Sequence, residues 1–414
     1  MYGLPHAGRI AQEALILHLA SHHYLQTSTP CLFKHTSNGT CFTLVVDDSG
    51  IKYRTKDTAQ HLIDCLQLKY NLTIRWEGER YLGMTVLFDR TARHVQLSIP
   101  GYIRKVLQRF APSLTIGAKS PGIYTPPRYG QPTEQSPTVD DSPRVSPAEQ
   151  LNLQGLIGAV LYYCLAVDPT GLPVVTALAS AQSRATASTI AASRRLLAYF
   201  FNYPDNKLTL KACEMRLHIQ SDASYLSRPN AGSVAGGIAY LSNSDPSEIS
   251  GAIHCMSSLI SGVMSSVAEA EYVSLFMNAQ HGAGLRSILA DLGYPQEPTT
   301  ILVDNQCARD IATSSIQPKR TKSIDMRYHW IRDRVKRREF SVVWRPGIHN
   351  LADFFTKPLP VHVHQSLMPL LVTTPPTPPT LQSRARLRAA NWLTISRGKK
   401  GVLISPPVAS FTPT

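Results

Sequence analysis

No CxxC pair occurs in this chain. Its seven cysteines, Cys31, Cys41, Cys65, Cys164, Cys213, Cys255 and Cys307, are dispersed and odd in number, which argues against a disulfide framework and against zinc and suits a reducing compartment. Long apolar runs are missing too. A notably apolar uncharged stretch, Leu151 to Val167, carries Asn152 and Gln154 and is too short to span a bilayer comfortably, so it reads as a buried helix. The opening MYGLPHAGRIAQEALILHLA has neither a basic segment ahead of a long apolar one nor a small-residue cleavage site, so export is not expected. Acid is also scarce. Asp and Glu total 28 against 42 Lys and Arg, a net charge of +14. Such an excess points to a polyanionic partner, nucleic acid first and an anionic membrane surface second. The expected setting is intracellular, cytoplasm or nucleus, with no membrane partner.

What is present is a folded chain of 414 residues, 43% hydrophobic, long enough for two or three domains. Residues 1–111 mix strand-like and helix-like pieces, with strands near 41–46 and 81–88 and a helix from Lys56 to Tyr70; GYIRKVLQRF places Ile103, Val106, Leu107 and Phe110 at helical spacing. Residues 112–147 carry eight prolines among Ser, Thr and Gly and read as an extended linker or long loop. A helical region fills 148–212, with two helices expected on either side of the Asp168, Pro169, Thr170, Gly171 turn. Residues 213–360 alternate strands and helices, predicting a mixed sheet with helices packed on it. The remainder, 361–414, is basic and Pro/Thr-rich and is expected to be disordered.

Within 213–360, acids fall at element ends. Asp222 closes a strand in HIQSDASY, Glu271 or Glu269 lies in the first turns of VAEAEYVSLF, Asp304 ends ILVDN, and Asp353 starts a short helix in GIHNLADFFTK. Any one of these alone is ordinary capping or turn chemistry. Four carboxylates brought together repel, and hard divalent cations relieve that repulsion. Two Mg²⁺ ions, with Mn²⁺ as a substitute, would suit phosphodiester cleavage. Helix geometry does not choose between Glu269 and Glu271, which flank the stripe Tyr272, Leu275, Phe276 and Ala279 on opposite sides. His254 and His349 are weaker candidates, as proton shuttles.

In order, SDASY, AEAEY, VDNQCA, KSIDMRYHWIRDRV and NLADFFTKPL resemble the RNase H domain of copia-type LTR retrotransposon polyproteins. The resemblance implies an α/β (α+β) RNase H-like mixed sheet with flanking helices that cuts the RNA strand of RNA/DNA hybrids. It implies Asp222, Glu271, Asp304 and Asp353 as metal ligands and catalytic acids, and it selects Glu271 over Glu269.

FTLVVDDSGIKY puts Asp47 and Asp48 between an apolar run and a Gly-containing turn, which by itself is an Asx-type turn. In the same family a reverse transcriptase precedes RNase H, and this stretch is similar to its palm hairpin, with Asp47 and Asp48 as metal ligands. MYGLPHAGR, RYLGMTV, SIPGYIRKVLQRF and residues 151–179 resemble segments around that hairpin and the helical region ending these polymerases. The implied plan is a partial palm over 1–111 and a thumb- or connection-like region over 148–212. The family's third palm aspartate stands upstream of its YGL segment and has no counterpart here. Polymerisation by this chain alone is therefore not expected, unless an upstream polyprotein fragment supplies the missing half.

Between Lys319 and Arg338 stand nine basic residues against Asp325 and Asp333, while Ile324, Tyr328, Ile331 and Val335 recur at helical spacing. This predicts an amphipathic helix with a cationic face for nucleic-acid phosphates, Lys319, Arg320, Lys322, Arg327 and Arg334 foremost. Two other readings stay open: a catalytically silent nucleic-acid-binding relic, and an integrase-type nuclease of the same fold.

Overall fold

The computed structural model describes residues 6–126, 137, 139–313, 325–375 and 392–397. It is mixed α/β and divides into two compact units, one comprising 1–90, 291–293 and 384–414, the other 91–290 and 294–383. Among the described residues no helix is long and apolar enough to cross a membrane.

The first unit contains α1 (Ala7–Ser21), β1 (Tyr24–Gln26), β2 (Leu32–His35), β3 (Cys41–Val45), β4 (Asp48–Lys52), α2 (Lys56–Gln67), β5 (Leu72–Arg75), β6 (Arg80–Tyr81) and β7 (Met84–Asp89). Its main sheet runs β1-β2-β3-β4-β15-β5, where β15 is Trp392–Arg397, antiparallel to both β4 and β5. Phe33, Phe42, Ile51, Leu62, Ile63 and Ile395 close the core under α2. Thr55 starts that helix with a reciprocal capping box, an N-terminus signal of the S/T-x-x-polar kind.

The second unit begins with β8 (His94–Ser98) and α3 (Tyr102–Phe110), followed by α4 (Pro147–Ala166), α5 (Leu172–Ala181), α6 (Ala187–Asn202) and β9 (Leu208–Lys211). It continues through β10 (Arg216–Arg228), β11 (Gly232–Ser242), β12 (Ala252–Leu259), α7 (Val267–Asp291), β13 (Thr299–Val303), α8 (Gln306–Ala312), α9 (Asp325–Lys336), β14 (Phe340–Trp344) and α10 (Val361–Leu371). Its five-stranded sheet has the order β12-β11-β10-β13-β14. β10, β11 and β12 pair antiparallel, and β13 and β14 join in parallel on the other side of β10. The parallel half needs crossovers, and α7 and α9 provide them. α7 covers the face bearing Leu217 and Ile219 with Tyr272, Leu275 and Ala279.

Gly236 and Gly237 make this sheet thin at its centre. A Cβ on Gly236 would lie 2.8 Å from the Ala352 carbonyl oxygen, and one on Gly237 would lie 1.7 Å from Asn278 Oδ1. Asn278 uses that space to donate to the Ser221 hydroxyl at 3.1 Å and to the Gly236 carbonyl at 3.0 Å. Gly237→Ala is therefore expected to cost at least about 2 kcal/mol by overpacking and by displacing a buried amide, read as a lowered midpoint in urea denaturation.

The structure revises several expectations. The helical region holds three helices, because Thr186 leaves the helical conformation (φ −127, ψ 174) and caps α6 through a box with Thr189. Residues 91–110 and the helical region share a unit with the 213–360 sheet, so the expected break at 111 is not where the compact units divide. The Pro-rich stretch is not wholly a free linker, for Ser120 is buried and donates to the Gly122 carbonyl at 3.0 Å. The tail from 361 is structured in two places. VHVHQSLMPLL buries His364, Met368 and Leu371 at helical spacing in α10, and Trp392–Arg397 is a strand. The high proline content of this stretch masks these short periodic patterns.

A candidate metal centre

Asp222 does not close its strand as expected: β10 runs on to Arg228. The carboxylate instead lies just past the parallel pairing with β13, which ends at Gln220 and Leu302. Asp304 immediately follows β13, and Glu271 lies one turn into α7. The interior of β10, the end of β13 and the first turns of α7 thus aim three carboxylates at one point, and Asp222, Glu271 and Asp304 each offer an oxygen within 4.8 Å of the others. Among the described residues no other His, Cys, Asp and Glu side chains form such a trio.

The electrostatics match that crowding. Burial first, then the carboxylates of Asp353 and Asp304, raise Asp222 to about 7. Burial, Asp222 and Asp304 push Glu271 to about 9, and burial raises Asp304 as well. Asp222 is 4% exposed and its Oδ2 accepts from the Thr356 hydroxyl at 2.8 Å. Glu271 is 6% exposed, yet its buried Oε2 has no hydrogen-bond partner. A buried acceptor left without a donor is costly, and a cation is the partner this donor set fits. Oxygen-only ligands favour Mg²⁺ or Mn²⁺ over softer metals.

Asp353 is carried by a short 3-10 helix, Leu351–Phe355, where a helix was expected. Two bonds clamp this turn onto β10: Asn350 Nδ2 donates to the Ser221 carbonyl at 2.9 Å, and the Leu351 N–H donates to Gln220 Oε1 at 2.6 Å. Asp353 is near enough to raise Asp222 and Asp304, but it stands outside the trio and pairs with Lys357 Nζ at 2.6 Å. Lys357, Thr356, Asn350 and Gln220 were missed from sequence. The i, i+4 spacing of Asp353 and Lys357 was the one visible signal.

Glu269 has a different task. Its Oε2 accepts from the backbone N–H and hydroxyl of Ser265, which ties down the entry into α7. His254 lies on β12 with a buried, unpartnered Nε2 and its ring 4.6 Å from that of His281. His349 is exposed at the end of a short 3-10 helix, Gly347–His349, ahead of the Asp353 turn. At its start, Gly347 approaches the acids so closely that a Cβ would lie 2.8 Å from Asp304 Oδ2.

In the first unit the hairpin turn consists of Val46 and Asp47, since Val45 pairs with Asp48. The turn itself contains no glycine; Gly50 is within β4. Val46 supplies the positive φ of 57° and is 91% exposed, Asp47 is exposed, and Asp48 opens β4 half-buried.

Lys319, Arg320 and Lys322 lie outside the described residues, as does Ile324. In α9, Ile331 is buried and Trp330 packs edge-on against Phe276, ring centroids 5.4 Å apart. Arg327 sits 6.0 Å from the Phe276 ring. Arg334 lies over Trp330 at 4.9 Å and pairs with Glu339, so part of its charge is met within the chain.

No family model matches the chain. The retrovirus-related Pol polyprotein of tobacco (Nicotiana tabacum) transposon TNT 1-94 is 27% identical over 367 residues, covering 87% of this chain and 27% of that protein. The Pol polyprotein of transposon RE1 from Arabidopsis thaliana is 26% identical over 76% of this chain and 20% of its own length. The chain is related to plant transposon Pol polyproteins. It spans about a quarter or less of their length, so what those whole polyproteins do is not thereby assigned to this Pol-related chain. Among solved structures, LC11-RNase H1 isolated from compost is 16% identical, with a TM-score of 0.27, covering 34% of this chain and 92% of that one. RNase H1 from Halobacterium salinarum NRC-1 is 20% identical, with a TM-score of 0.23, covering 34% and 94%.

Proposed function

We propose that residues 213–360 are a ribonuclease H-type hydrolase that cleaves the RNA strand of RNA/DNA hybrids. The observation that carries the reading is the trio Asp222, Glu271 and Asp304 with ligand oxygens within 4.8 Å, around a buried Glu271 oxygen that no donor satisfies. The resemblance to the retrotransposon motifs and the relation to Pol polyproteins over most of the chain support the same reading.

Asp222, Glu271, Asp304 and, once released from Lys357, Asp353 would hold two divalent cations, Mg²⁺ or Mn²⁺. Bound there, the cations supply activation of a water and stabilisation of the leaving oxygen. The chain's own groups orient the ligands: Thr356 fixes one Asp222 oxygen, and Asn350 and Gln220 hold the turn bearing Asp353. Arg327, with Lys319, Arg320, Lys322 and the less available Arg334, would grip phosphates. Binding through such contacts should weaken steeply with salt.

The hairpin pair Asp47 and Asp48 belongs to a polymerase-like palm remnant in this proposal. Among the described residues these two acids belong to no group of three His, Cys, Asp or Glu side chains with ligand atoms within 4.8 Å of one another. Polymerase chemistry would then need an acid from another segment, such as an upstream polyprotein fragment.

The test is cleavage of a labelled RNA/DNA hybrid with Mg²⁺, beside duplex DNA and single-stranded RNA. Cutting confined to the hybrid RNA supports the proposal, and an inert, folded protein refutes it. Glu271→Gln is expected to lose activity by roughly a thousandfold, the scale of several kcal/mol of transition-state stabilisation. Glu269→Gln should stay within several-fold of the parent, because its bonds go to Ser265. Equal losses from both would contradict the assignment of Glu271.

A further inference from the structure

We infer that Lys357 governs when Asp353 becomes a cation ligand, holding it in an ion pair until a substrate phosphate takes over the ammonium. This rests on the hydrolase reading above and adds a control element to the same site.

Of the four acids, three converge and one is diverted. Lys357 Nζ lies 2.6 Å from Asp353 Oδ1 one turn away, while Asp222, Glu271 and Asp304 share a point without Asp353. The diversion is built into the backbone. Thr356, next to Lys357 and fully buried, donates to Asp222 Oδ2 at 2.8 Å and to the Asp353 carbonyl at 3.1 Å. The segment carrying the ammonium is therefore fastened to the trio at one end and to Asp353 at the other. Asp222 and Asp304 attract the same ammonium. The unpartnered Oε2 of Glu271 shows independently that the trio is the part open to a cation.

An ammonium and a divalent ion cannot share one carboxylate oxygen at close range, because their mutual repulsion grows as separation falls. A metal on Asp353 Oδ1 must displace Lys357. The Lys357 side chain is 47% exposed, so an arriving substrate phosphate can accept its hydrogen bonds and free Asp353 Oδ1. The first cation would bind the free protein and the second would bind with the substrate. By linkage, each would tighten the other. No bond is made or broken in this step; only ion-pair partners change.

The experiment is Mn²⁺ titration of the full chain without nucleic acid, by calorimetry and by the electron paramagnetic resonance signal of free Mn²⁺. The parent and Lys357→Arg should bind one ion tightly. Lys357→Met should bind a second ion about ten-fold more tightly than the parent does, equivalent to about 1.4 kcal/mol. Lys357→Met combined with Asp353→Asn should return to one. Thermal melts check that each variant is folded. A Lys357→Met isotherm identical to that of the parent, with the first ion and hybrid cleavage intact, overturns the inference alone. A parent that binds no Mn²⁺ and cuts no hybrid defeats the hydrolase reading and this inference with it.

Discussion

Asp304→Asn will abolish cleavage of an RNA/DNA hybrid while leaving the metal-free protein at least as stable as the parent. Both halves follow from one geometry. Asp304 contributes one of three carboxylate oxygens within 4.8 Å, and an amide in its place would neither balance a cation nor hold it firmly. The loss should be roughly a thousandfold or more, since a bound cation supplies several kcal/mol of transition-state stabilisation. The same carboxylate repels Asp222 and Glu271, so removing its charge relieves the folded state when no metal is present. Cleavage rates in Mg²⁺ and melting curves in chelator measure the two effects. A variant that keeps a tenth of the parent rate, or melts several degrees lower in chelator, would show that Asp304 is structural.

Without metal, the protein should lose stability as pH rises. The folded-state values of Asp222, about 7, and Glu271, about 9, both exceed their ordinary ones. Between the ordinary and the folded value, the native carboxyl keeps a proton that the unfolded chain has released. Proton release then favours unfolding, so stability falls across roughly pH 4 to 9. In chelator the melting temperature at pH 9 should lie about 5 °C or more below that at pH 5, on the scale of a domain this size. Saturating Mg²⁺ should flatten the slope by binding the ionised forms. Other groups titrate in this range, so the diagnostic is the difference between the parent and Glu271→Gln in the same buffers. If chelated parent and variant share one slope, the raised Glu271 value is wrong.

Much of the 213–360 sheet could be read directly. The acids of SDASY, AEAEY, VDNQCA and NLADFFTK stand out because short polar motifs interrupt apolar runs there, and the structure places three of the four at one point, although Asp222 lies inside β10 and not at its end. The element order from β10 to β14 followed from the same periodicities. The choice between Glu269 and Glu271 could not be made from helix geometry. It depends on which face of α7 meets β10 and on Ser265 lying within reach of Glu269, both facts of packing. Three of the four missed residues share a feature: Gln220, Asn350 and Thr356 act by bonding partners 129 to 134 positions away. The α5–α6 break and β15 were overlooked because a Thr cap inside a helical run and a six-residue strand in a proline-rich tail are weak local signals.

The sequence by itself determined which side chains are available: an excess of basic residues, carboxylates spaced along the chain, and glycines that let β11 lie between two covering layers. Tertiary structure decided which of those ligands meet and which is held back. Parallel pairing of β10 with β13 brings Asp222 beside Asp304, and the turn clamped by Asn350 hands Asp353 to Lys357. Carboxylate repulsion and desolvation act through space, over a few ångströms, between groups that the chain order leaves far apart.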